Sequence, residues 1–301
     1  MSAAADEQLV WSRTSTLALA APRQCVLEVT GTDRLSWLNG LLTCDLSKRG
    51  EGDVVQGLAL AQKGKIVSDV VAVVAKERVL LIVQRRTVDG LVASFEHHLM
   101  MEDAELHRGS DIPWFLHGPL AARALASARE AGGTGGVLDI TGSGGAVVVT
   151  TSGGASEAAM LAAVHDAGGG VGDDAGWDVV RVLAGVPRFD VDFDDTTYPQ
   201  EAGLETSAVS FEKGCYLGQE VVCMLQMRGH VKRKLVSLAV ASADPPGAHT
   251  AVQDAKAVAI GEVTSSARAG ESETRALAML KYAFIASGTE VTVDGHSARV
   301  V

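Results

Sequence analysis

Short apolar runs, broken by charged or glycine-containing turns, dominate the chain, and their period changes along it. Residues 24–30 alternate and read as a strand. Asp33 then offers an N-cap to an amphipathic run over 34–43, with Leu35, Leu38, Leu41 and Leu42 on one face. Residues 54–60, 66–74 and 79–84 read as three more strands, joined by Lys63-Gly64-Lys65 and Lys76-Glu77-Arg78. A helix is expected over 88–101, and an alanine-rich one over 119–131 that ends in a turn through Gly132, Gly133, Gly135 and Gly136. A strand at 146–151, a helix at 157–167, a loop at 168–176 and a helix at 177–186 follow, the last stopping before Pro187. The stretch 188–210 is irregular and rich in carboxylates, and long loops of that kind are functional or disordered. Beyond Lys234 the texture turns to short β runs at 235–240, 258–263, 276–280 and 290–293. They predict a small antiparallel barrel or sandwich of about 70 residues.

Composition narrows the function classes. With 301 residues and 47% hydrophobic content, the chain can bury the cores of two domains or three small ones. No apolar run is long enough to cross a bilayer, so no membrane partner is expected. The start, MSAAADEQ, lacks the basic and apolar regions of a secretory leader and reads as a frayed tail. Cys25, Cys44, Cys215 and Cys223 form no CxxC pair, which suits a reducing cytoplasm. Cys215 and Cys223 would lie about 12 Å apart on one helix, too far to share an ion, so no metal site is expected. Cys25, in an apolar strand, reads as a buried core thiol. A net charge of −11 argues against stable nucleic-acid binding. Against that background Arg228, Lys232, Arg233 and Lys234 cluster, either as a charged strand edge or as a receiver for an anion. Neither a GxGxxG fingerprint nor a P-loop is present.

The densest chemistry lies in KGCYLGQE, Lys213 to Glu220. It sets a thiol beside a cation, a phenol, an amide and a carboxylate, with two glycines that allow close approach. Lys213 is placed to favour the thiolate of Cys215. That thiol has three roles open to it: nucleophile, redox sensor or transient cluster ligand. Asp69, after a KGKIVS run, is open to two readings, a turn cap or a catalytic acid.

Several segments together resemble the YgfZ-type folate-binding family, relatives of the glycine-cleavage T-protein. They are KGCYLGQE, the RVLAGVP segment from Arg181 to Pro187, YPQEAGL from Tyr198 to Leu204, DRLSWLNGLLTCDL from Asp33 to Leu46, KGKIVSD from Lys63 to Asp69 and GEVTSSA from Gly261 to Ala267. The resemblance implies an α+β, T-protein-like ring of three lobes with a C-terminal antiparallel β-barrel. Residues 1–231 would form the folate-binding region of two interleaved lobes and 232–301 the barrel. It implies tetrahydrofolate or a one-carbon derivative as cofactor. Iron–sulfur client enzymes or assembly proteins are the implied partners, with a link to tRNA modification. Glu201 is the implied pterin carboxylate, flanked by Tyr198. Tyr216 and Gln219 are further cofactor contacts, and Asp69 is the remnant of an acidic pair at the folate's reactive nitrogen. Where many relatives carry an arginine this chain has Met224, so Arg228, one helical turn on, is the candidate for the folate tail. Turnover stays open. The alternatives are a one-carbon transferase (aminomethyltransferase or demethylase) and a thiol enzyme built on Cys215.

Overall fold

Two five-stranded sheets and a closed six-stranded barrel carry the fold. The computed structural model describes residues 3–301, apart from the side chains of Ala3, Ala4 and Arg228. One sheet is antiparallel throughout and runs β3 (Val54–Leu60), β4 (Ile66–Val74), β5 (Val79–Gln84), β2 (Gln24–Thr30), β6 (Glu105–Arg108). The other runs β10 (Gly170–Val171), β1 (Leu17–Ala20), β7 (Ile112–His117), β9 (Gly145–Thr150), β8 (Thr134–Val137), with β10 parallel to β1.

Each sheet carries helices on its outer face. Helices α2 (Arg34–Leu41) and α3 (Val88–His97) cover the first, packing on Val70, Ala72, Leu81 and Val83. Helices α4 (Ala121–Glu130) and α5 (Ala155–Asp166) cover the second, packing on Leu116, Ala146 and Val148. The inner faces meet each other. Val71, Val73, Leu80 and Ile82 of the first sheet press on Val147 and Val149 of the second. Because side chains alternate along a strand, β4 and β5 are apolar on both faces and read as near-continuous hydrophobic runs.

Of the expected frayed tail, Met1 and Ser2 lie outside the described residues, and the rest is instead part of a helix, α1 (Ala3–Thr14). Ala5 and Leu9 pack on Val179 and Val182 of α6 (Asp174–Leu183), and that burial orders the segment. Helix α6 starts three residues before the expected Trp177, where Asp173 accepts the Gly176 N–H as an N-cap. Asp33 caps nothing. Its carboxylate accepts the Asp103 N–H at 2.9 Å instead. Helix α3 ends at His97, short of the expected 101. The glycine turn after α4 continues into β8, because a Cβ at Gly135 would sit 2.1 Å from the Val147 carbonyl oxygen. Strand β1 is a short run of four residues, and β7 is interrupted by Pro113, so neither shows a clear pattern in sequence.

The C-terminal β runs close into a barrel rather than a sandwich. Its order is β11 (Arg233–Val240), β14 (Thr274–Lys281), β13 (Ala259–Arg268), β12 (Ala251–Gln253), β15 (Glu290–Val293), β16 (His296–Val300). Closure leaves no free sheet edge. One buried ionic knot ties barrel to ring. Arg181 of α6 pairs with Asp192 at 2.6 Å and donates to Ser265 of β13 at 2.8 Å, while Thr264 and Ser265 both donate to Asp192 at 2.5 Å.

Between α6 and α7 (Gln219–Arg228) the chain has no helix or strand beyond a Phe189–Phe193 bridge. It is still ordered by packing, with Phe189, Phe193, Leu204 and Tyr216 buried against Leu58, Leu60 and Ile66.

Candidate functional site

Toward one end the apolar contact between the inner sheet faces opens into a cavity of about 390 Å³. That lies within the usual range of small-molecule sites. Asp69, Gln56 and Gln84 make one polar wall, and Phe115, His117 and Trp177 an aromatic one. Leu19, Val71, Leu138 and Ile140 supply apolar surface, and the segment Val186 to Phe189 closes a side. The two-residue period puts these groups there. Asp69 is two before Val71, Gln84 two after Ile82, and His117 two after Phe115, so each continues an inward-facing row.

Asp69 is the cavity's distinctive group. Gln84 Nε2 donates to its Oδ1 at 2.8 Å, and the Gln84 N–H is tied to Ser68 Oγ at 3.1 Å. The carboxyl keeps a window onto the cavity but is otherwise surrounded by protein. Burial pushes its pKa up to about 6, against the Gln84 hydrogen bond and with help from the Asp190 carboxylate. It sits within β4 and is not a turn cap. At the rim, Arg23 pairs with Asp174 at 2.7 Å, and Arg188 pairs with Asp174 and Asp178 at 3.0 Å each.

The signature KGCYLGQE lies elsewhere, against the N-terminal landmarks. Lys213 Nζ donates to the carbonyls of Asn39, Leu42 and Cys44 at 2.6, 2.7 and 2.7 Å. Its cation therefore serves the turn after α2, contrary to the expectation that it serves Cys215. Burial lowers its pKa to about 8, so it keeps its proton at neutral pH. The Leu217 N–H reaches the Gly40 carbonyl at 3.0 Å. Gly218, at φ 81°, leaves no room for a Cβ, which would lie 2.6 Å from the Ala61 carbonyl oxygen. Tyr216 is buried in the core of the irregular stretch, and Gln219 Oε1 accepts the Tyr216 N–H at 3.3 Å. The Lys213 ammonium and the backbone at Leu217 and Gly218 are thus spent on joining α2, the 63–65 turn and α7, while the buried Tyr216 hydroxyl has no hydrogen-bond partner. Cys215 is exposed and does not line the cavity. His230, the nearest histidine in sequence, stacks on Tyr282 of the barrel at 4.3 Å. Cys44 is the buried thiol, pushed up to about 11 by burial, whereas Cys25 is half-buried.

Glu201 is also placed apart from the cavity. Its Oε2 accepts the Tyr198 N–H at 3.0 Å, and Oε1 faces Arg233 at 3.5 Å. These contacts hold the YPQEAGL turn to the first barrel strand, and Glu201, the pterin carboxylate that the resemblance implies, does not line the cavity. Tyr198 is half-buried under Lys65 Nζ, 4.3 Å from its ring centroid. In the expected anion cluster, Arg233 pairs with Glu201 and Lys234 with Glu205, while the Arg228 side chain lies outside the described residues. Among the described residues no group of histidine, cysteine and carboxylate side chains could hold a metal ion. No described helix is long and apolar enough to cross a membrane.

Sequence inspection alone passed over Gln56, Gln84, His117 and Trp177. The available signal was faint: a polar residue at a period-two position of a strand otherwise apolar on that face, as at Gln84 after VLLIV.

Two sheets enclosing a cavity, with a closed barrel behind, define a T-protein-like architecture. The glycine-cleavage aminomethyltransferase T of Bartonella henselae superposes with a TM-score of 0.83 over 98% of this chain and 88% of that one, at 20% identity. No family model matches. A tRNA-modifying protein YgfZ of Vibrio vulnificus is 26% identical over 71% of this chain and 67% of its own length. The YgfZ of Aliivibrio fischeri is 23% identical over 85% of this chain and 82% of its own. The mitochondrial aminomethyltransferase of Solanum tuberosum is 28% identical over 80% of this chain and 66% of its own. In sequence the chain is similar to YgfZ proteins and to aminomethyltransferases, and its fold is that of the glycine-cleavage T-protein.

Proposed function

We propose that this protein binds a reduced folate in the cavity between its sheets and acts as an accessory to iron–sulfur enzymes, including those that modify tRNA. The observation that carries the reading is a half-buried acid, Asp69, on the polar wall of a cavity whose other walls are aromatic and apolar. The residues fit such a ligand. A flat pterin suits the aromatic wall, and its amide-like edge suits Asp69, Gln84 and Gln56. A reduced folate, when bound, supplies a one-carbon unit carried on nitrogen. Arg23 and Arg188 at the rim are the cations nearest to hand for its anionic tail. The link to tRNA runs through client enzymes, since a net charge of −11 disfavours direct phosphate contacts. Cys215, exposed on the far side of the signature, is the thiol offered to a client.

Calorimetric titration with 5-formyltetrahydrofolate tests the site. Saturable binding is expected, weakened roughly ten- to a hundredfold in Asp69→Asn through loss of a charge-assisted contact. Absence of binding by the wild-type protein overturns the reading. One observation favours a second reading, a one-carbon transferase. An acid with a pKa of about 6 is poised to move a proton near neutral pH. Folate-dependent turnover of an aminomethyl donor, lost in Asp69→Asn, would establish that alternative.

A further inference from the structure

His117 has no part in the contacts described so far. Its ring is 1% exposed and forms part of the aromatic wall. Neither ring nitrogen has a hydrogen-bond partner. Buried polar atoms nearly always find one, and two orphans on one ring call for an explanation. The surroundings keep the imidazole neutral. Burial pulls its pKa down to about 4, with the Asp139 carboxylate acting weakly the other way. A neutral imidazole offers one N–H donor and one acceptor nitrogen. The ring plane is also fixed. Trp177 stacks on it with centroids 4.4 Å apart at 12°, and Phe115 lies nearly parallel at 6.5 Å and 13°. The hydrogen-bonding directions are therefore set before any ligand arrives.

We infer that His117 is a specificity-determining contact that presents a neutral donor or acceptor to the amide-like edge of a flat heterocycle in the cavity, an inference that rests on the folate reading above. Trp177 covers a face of the imidazole, and the two nitrogens, which point from its edge, have no open surface. Ligand contact with a nitrogen therefore needs a small shift of the cavity lining at the ring's edge, while the stack on Trp177, half-buried in the first turn of α6, keeps the ring plane. The apolar wall alone would accept any flat ring. A buried donor or acceptor left unpaired penalises rings without the matching edge.

The test uses the full chain, with 5-formyltetrahydrofolate as probe. His117→Phe keeps a flat ring in the stack and removes both nitrogens, and His117→Gln restores a donor and an acceptor. The expected result is a roughly tenfold or greater loss of affinity in His117→Phe. Its melting temperature should be equal to or above wild type, since two orphan groups are gone. His117→Gln should recover part of the affinity, and indole fluorescence should change on ligand binding. In wild-type protein labelled with ¹⁵N-histidine, the His117 ring resonances should move as a hydrogen bond forms, a readout that does not depend on a variant folding. Wild-type binding with equal affinity in a folded His117→Phe, or with unmoved His117 resonances, overturns this inference and leaves the folate reading standing. Failure of the wild type to bind refutes the folate reading and this inference with it.

Discussion

Replacing Asp69 by asparagine removes a charge that the cavity disfavours while keeping the oxygen that accepts from Gln84. The carboxyl pKa rises from 3.8 to about 6 in the folded chain. Each tenfold change in an ionisation constant is about 1.4 kcal/mol, so the fully ionised form costs the fold about 3 kcal/mol as an upper bound. A raised carboxyl pKa means that the folded chain holds a proton which the unfolded chain has released. Stability therefore falls as pH rises from about 4 to about 6 and is flat above that window. The asparagine variant lacks this fall. Urea midpoints measured from pH 4 to pH 7.5 should nearly coincide at the acid end. By pH 7 they should diverge, with Asp69→Asn the more stable by about 2–3 kcal/mol. A stabilised but ligand-deficient variant is the pattern of a site that trades stability for chemistry. Parallel pH profiles for the two proteins would refute the claim that protein surrounds this carboxyl.

Other perturbations separate structural from functional polar groups. Asp192→Ala removes the buried one of the two carboxylates that pair with Arg181, leaving only the half-exposed Asp178, and should cost about 3 kcal/mol, seen as a large drop in the urea midpoint. Lys213→Met leaves three carbonyls of the α2 turn without their donor and should cost at least about 2 kcal/mol, with Cys215 still reactive toward a thiol probe. Cys215→Ser should leave melting and folate binding unchanged but abolish support of iron–sulfur enzymes in a complementation assay. Full complementation would remove the thiol from the mechanism. Glu201→Ala should loosen the junction with the first barrel strand, lowering the melting temperature while changing folate affinity less than twofold.

Local pattern determined much of this protein. Residues 24–30, 66–74 and 79–84 alternate or run apolar in lengths that only strands accommodate, and they are strands. The short β runs after Lys234 left barrel and sandwich both open, and closure was decided by the pairing of β11 with both β14 and β16. The signature residues were legible as a motif, but their partners were not. Lys213 looks equally available to a thiolate or to three carbonyls until residues 39–44 are folded beside it. Glu201 likewise offers a carboxylate whose direction depends on Tyr198 and Arg233. The cavity was the least legible feature. Strands β4 and β5 are apolar on both faces, so their sequence does not say which face meets α2 and which meets the other sheet. Asp69, Gln84 and His117 come from three strands of two sheets and converge only when the inner faces pack. That convergence is a long-range packing outcome, and no local period along the chain encodes it.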